Sequence, residues 1–115
     1  MDLPTELIAD LDDALTATGQ DIILRRVTGT ESQTNTDVTC RAMVREFAAR
    51  ELVNGLQYGD RQVIISPTQI NAASWPLPVL RNDFAVIDEQ VWNIEAANHQ
   101  KIAGTLVRIE LVVRG

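Results

Sequence analysis

His99 and Cys40 are the only histidine and the only cysteine in this 115-residue sequence, and they set narrow limits on its chemistry. A zinc site needs several His, Cys or acidic ligands gathered together. His99 lies in Asn98-His-Gln-Lys101 with no second His or Cys nearby, and it reads as a solvated loop residue. A Ser-His-Asp or Cys-His system would have this one base and no nucleophile motif to serve. Cys40 has no disulfide partner and falls in the alternating phase of Val38, Ala42 and Val44, the place of a small buried filler. Carboxylates are more plentiful. Asp10, Asp12 and Asp13 read as the solvated face of a helix, Asp88-Glu89 as a hairpin connection and Asp60 as a turn residue. None forms the opposed pair that glycoside hydrolysis uses. The six glycines are dispersed, with neither a GxGxxG nor a P-loop. On these residues the chain is expected to be no enzyme and to use no metal or cofactor.

Charge and aromatic content point to surfaces instead. The formal net charge is −6, and against nine scattered arginines there is a single lysine, Lys101. Neutralising phosphates requires clustered cations, so groove-type nucleic-acid binding is not expected. An acidic surface suits one that DNA passes without sticking, and a plain solubility role accounts for the charge equally well. Trp92 shares a phase with Ile94 and Ala96, as a barrel-lining residue would. Trp75, close to Pro76 and Pro78, reads either as a lid over a barrel end or as an anchor for a partner. No apolar run approaches the roughly 18 residues of a membrane span. The first residues are acidic where a signal peptide would be basic, so the protein is expected to stay where it is made or to leave inside an assembly.

These side chains are carried by a mainly β pattern. Asn82–Arg114 reads as three strands in succession, 84–87, 90–96 and 105–113, joined by Asp88-Glu89 and by a polar loop closing on Gly104. In the last strand Val107, Ile109, Leu111 and Val113 share one face, the period of two of a half-buried antiparallel strand. Upstream, 2–18 reads as an amphipathic helix with Leu3, Leu7, Leu11 and Leu15 as its stripe, Ile8 and Ala14 widening it, Asp2 as N-cap and Gly19 as stop. It packs on its own barrel or is received by a neighbouring subunit. A strand at 21–27 leads into 28–36, which has no apolar residue and reads as an exposed, mobile loop carrying Glu31, Gln33 and Asn35. Next come a strand at 38–47 with a helical turn possible over 48–54, and turns at Asn54-Gly55 and Tyr58-Gly-Asp60. A doubly buried strand at 61–65 ends at Ser66-Pro67, and an irregular crossing over 68–80 contains Trp75 and Leu77. The fold class expected is a small antiparallel β-barrel or sandwich with an N-terminal helix and long polar loops. It forms one domain over 1–115, with the barrel at 21–114. Leu7, Leu11, Glu31, Gln33, Asn35, Tyr58, Trp75 and Leu77 are the candidate interface residues.

The order of these elements, with Ser66-Pro67, Asn82-Asp83, Phe84–Ile87, Val91–Ala96 and Leu106–Arg114 in sequence, resembles the head–tail joining proteins of tailed bacteriophages. These are the head-completion or stopper proteins of the neck, and the lambda-type members are the most similar. The resemblance covers 61–115, and the N-terminal half by topology. Asn82 stands where that family commonly has a glycine, and Asp88-Glu89 replaces a glycine-containing turn. The resemblance implies a non-enzymatic virion subunit, assembled in the host cytoplasm as a ring of six or twelve copies below the portal or its adaptor. It would close the DNA-filled head, offer a docking surface to tail-terminator and other tail proteins, and let DNA through without specific binding. A tail-terminator or tail-completion ring protein is the alternative within the same setting. A small bacterial β-barrel with a ligand pocket is the alternative outside it.

Overall fold

A computed structural model describes residues 3–47 and 59–115. The expected N-cap at Asp2, helical turn over 48–54, Asn54-Gly55 turn and Tyr58 lie outside the described residues. The chain is mainly β: six antiparallel strands close into a barrel, with a helix at the N-terminus. In chain order the elements are α1 (Leu3–Thr18), β1 (Gln20–Thr28), β2 (Thr34–Glu46), β3 (Arg61–Ile65), α2 (Pro67–Ala72), β4 (Phe84–Ile87), β5 (Gln90–Ile102) and β6 (Thr105–Arg114). Around the barrel the order is β1-β2-β3-β6-β5-β4, and pairing of Ile23–Arg25 with Phe84–Val86 closes it. Closure leaves no open edge at the waist.

Alternation puts Ile22 and Leu24, Cys40 and Ala42, Val63 and Ile65, and Ile109, Leu111 and Val113 into one interior cluster. Two bulges break the phase that the sequence suggests. Register slips between Ile94 and Ala96, so Ala96 turns outward and Ala97 takes the inward place behind Trp92 and Ile94. A second slip pairs Gln100 with Arg108 but Lys101 with Leu106, leaving Val107 as the extra residue. Val107 is buried yet outside the interior cluster, so it does not share the inward face of Ile109, Leu111 and Val113. Leu15 and Ile64 are buried in the same way, outside that cluster. α1 lies across β2 and β6, the strands flanking β3, and covers this outer layer.

The four-residue leucine spacing explains how α1 sits. At about 100° per residue each four-residue step drifts by about 40°, so Leu3 ends about 120° around the helix from Leu15. Leu15 is accordingly buried and Leu11 half-buried, while Leu7 and Leu3 are 37% and 55% exposed. The face that meets the barrel is Pro4, Ile8, Leu11 and Leu15. Gly19 stops the helix for want of space rather than by a left-handed turn. A Cβ there would stand 2.6 Å from both the Leu15 and Ala42 carbonyl oxygens, and the Gly19 N–H donates to Leu15 O at 2.8 Å.

Other expectations need correction. The polar stretch 28–36 is a shorter loop than expected: β1 and β2 pair from Gln20↔Ala42 to Thr28↔Thr34, so only 29–33 connects them. The crossing over 68–80 begins with α2. Ser66 caps it, its hydroxyl accepting from the Thr68 N–H at 3.2 Å, and Pro67 occupies the first turn. Asp12 faces α2 instead of solvent, its Oδ2 accepting from the Thr68 hydroxyl at 2.7 Å. Asp60 is 2% exposed and grips Arg114 with both oxygens, at 2.9 and 2.8 Å. It is thus a buried anchor.

Candidate functional site

Because every neighbouring pair is antiparallel, the β1–β2 turn, the β3–β4 crossing and the β5–β6 turn all fall at one end of the barrel. Strands there outrun the waist. β4 meets β1 only at Ile23–Arg25 and β5 only at Gln90–Asn93, while β3 meets β2 at Ala42–Glu46 and β6 at Ile109–Val113. Beyond those limits β1–β2 and β5–β6 continue as two-stranded ribbons. The second turns on Ala103 and Gly104, both at positive φ (51° and 80°), the twist that suits a tight hairpin.

Between the ribbons the crossing plugs the barrel mouth with Ile70, Trp75 and Val79, all buried. Trp75 is therefore a lid, not an exposed anchor. Its indole N–H donates to Thr36 O at 2.9 Å, and the Arg26 guanidinium lies 4.7 Å above its ring. Three consecutive backbone groups are then held by three side chains. Arg26 Nη2 donates to Pro78 O at 2.8 Å, the Val79 N–H donates to His99 Nε2 at 3.0 Å, and the Leu80 N–H donates to Asp83 Oδ2 at 2.8 Å. Arg26 and Asp83 lock together at 3.0 and 2.7 Å; the carboxylate also raises the guanidinium pKa.

His99 is thus a half-buried strand residue, not a solvated loop residue. A ring nitrogen that accepts a backbone N–H carries no proton, so the proton of neutral His99 sits on Nδ1. Burial, and secondarily Lys101, lowers its pKa. Burial likewise pushes the Cys40 thiol up to about 12, matching its reading as an inert filler. Among the described residues no group of three or more His, Cys, Asp or Glu could hold a metal ion, and no helix is long and apolar enough to cross a membrane.

The β5–β6 ribbon has a groove on each face. On the outer face a cavity of about 200 Å³ is lined by Leu7, Leu11, Gln100, Ile102, Val107 and Arg108. On the inner face a wider groove of about 710 Å³ is lined by Leu77, Pro78, His99, Lys101, Gly104 and Leu106. Leu7, Leu11 and Leu77, expected as interface residues, therefore lie beside this ribbon, whereas Glu31, Gln33 and Asn35 lie exposed on the other. Sequence reasoning missed Ile102 and Lys101 because it ended the strand at 96, and it placed Leu106 in the last strand without marking it as an interface residue. The apolar residue before Ala103-Gly104 was the available signal for a longer hairpin. Compared with protein-family models and with curated proteins, the chain matches none.

Proposed function

We propose that this chain is a structural, non-enzymatic subunit of a tailed-phage neck. Copies form a ring below the portal or its adaptor that closes the filled head and offers the tail a docking face. The observation that carries this reading is the β5–β6 ribbon, which stands clear of a closed barrel with a partly apolar groove on each side. A sealed barrel has no sheet edge to offer at its waist, so contacts fall to what projects from it. Exposed apolar side chains beside such grooves mark interaction sites, and here they are Leu7 and Ile102, each 37% exposed.

Charge supports passage of DNA without capture. Arg25, Arg26, Arg41, Arg61, Arg81, Arg108 and Arg114 each face a carboxylate of the same chain. α1 adds Glu6, Asp10, Asp12 and Asp13 with no basic residue. Among the described residues phosphates thus meet no cluster of uncompensated cations, and the counterion release that makes binding tight is withheld.

The test is negative-stain imaging and mass photometry of the purified protein mixed with the portal protein of the same genome. A ring of fixed stoichiometry seated on the portal is expected. No complex at micromolar concentrations overturns the reading, and a ring that binds only the end of the tail tube moves the chain to the tail-terminator class.

A further inference from the structure

We propose that the groove on the inner face of the β5–β6 ribbon receives the N-terminal half of α1 from a second copy of this chain, and that this head-to-tail contact builds the ring. The inference rests on the ring reading above. Three observations fix the occupant.

Shape and polarity come first. The groove is walled by Leu77, Pro78 and Leu106, so it needs an apolar insert. α1 offers Leu3 and Leu7, one turn apart, on a side that its own barrel leaves 55% and 37% exposed.

Charge comes second. Lys101 lines the groove and, among the described residues, has no carboxylate partner. Glu6, Asp10 and Asp13 are exposed on α1, and among the described residues none has a cation partner. Asp10 follows Leu7 by three residues, which places it beside that leucine on the helix surface. A leucine in the groove therefore brings a carboxylate toward Lys101.

Placement comes third. A chain's own α1 already lies along the opposite face of the same ribbon, against Gln100 and Ile102. Alternation along β5 turns His99 and Lys101 the other way. Donor and acceptor are thus different surfaces, which makes the contact heterologous, the kind that closes into rings. Two α1 helices meeting face to face would instead bring like charges together.

The experiment mixes two single-substitution proteins, Leu7→Cys and Leu106→Cys, under mild oxidation; native Cys40 stays buried and protonated. Cross-linked heterodimer should form in the mixture at least tenfold above the homodimer of either protein alone. Lys101→Glu in the Leu106→Cys protein should cut that yield about tenfold, and Asp10→Lys in the Leu7→Cys protein should restore it. Should Leu106→Cys fold poorly, exposed Lys101→Cys is the second acceptor. Equal homodimer yields, or a yield indifferent to both charge changes, overturn the contact. Rings on the portal without this cross-link sink the contact and leave the ring reading standing. The cross-link without any portal complex does the reverse, and the absence of both defeats both.

Discussion

The two ribbons leave the same end of the barrel and are built of similar hairpins, yet their surfaces differ. The β1–β2 ribbon ties its strands to each other and to the crossing through polar contacts and exposes almost nothing apolar. Arg25 grips Asp37 through two bonds of 3.0 Å, Trp75 holds Thr36 O, and 28–35 is exposed and polar throughout. The β5–β6 ribbon leaves Ile102 exposed, Lys101 without a carboxylate among the described residues, and a groove on each face. Solvated polar groups gain little from a partner, whereas exposed apolar surface beside a groove gains much. Projection from the barrel does not make an interface; what a ribbon leaves unsatisfied does.

Removing the shared support tests the contrast most severely. Trp75→Ala takes a buried indole out of the plug and should cost about 3–5 kcal/mol in denaturant unfolding. Hydrogen exchange should rise in β2 near Thr36, the carbonyl that the indole N–H holds, more than at the β5–β6 tip. Asp83→Ala strands the half-buried Arg26 and frees the Leu80 N–H, a loss of about 3 kcal/mol. Its effect should reach both ribbons, because the lock ties β1 to the crossing.

A gentler change acts on one ribbon alone. The pKa of His99 is lowered in the folded protein, while the unfolded chain keeps about 6.5. The unfolded state then binds more protons between those values, so stability rises with pH there. The His99 contribution is complete above about pH 6.5 and is lost as pH falls through the lowered folded value. Stability measured from pH 7 to 5 should therefore show a slope that His99→Gln flattens, since glutamine can still accept from the Val79 N–H. An unchanged slope would show that His99 does not hold the crossing. Smallest in stability are the surface changes. Ile102→Gln and Asn35→Ala should each stay within about 0.5 kcal/mol of wild type, but only Ile102→Gln should weaken assembly, as read by native mass spectrometry.

Much of the barrel was legible because alternation is local. Ile22 and Leu24, the Val38-Cys40-Ala42 phase, the doubly buried Val63–Ile65 and the β4 strand 84–87 all follow from neighbours in sequence. What failed depended on partners far along the chain or on slips of register. His99 looked like a loop residue because its bond partner, Val79, is twenty positions away. Ala96 and Val107 were misphased by bulges that no composition announces. The six-residue α2 is too short for a helical period to show, although Ser66-Pro67-Thr-Gln69 carries the cap, the first-turn proline and a Gln three residues on. For the interface residues, the leucine stripe was visible but its drift around α1 was not counted, which hid why Leu3 and Leu7 stay exposed.

Hydrogen–deuterium exchange of the free protein against the assembled ring tests the docking assignment most directly. Protection gained at 3–11 and 99–106, with 29–33 unchanged, is the expected result. Protection centred on 29–33, with the Ile102–Leu106 tip still exchanging freely, would contradict it.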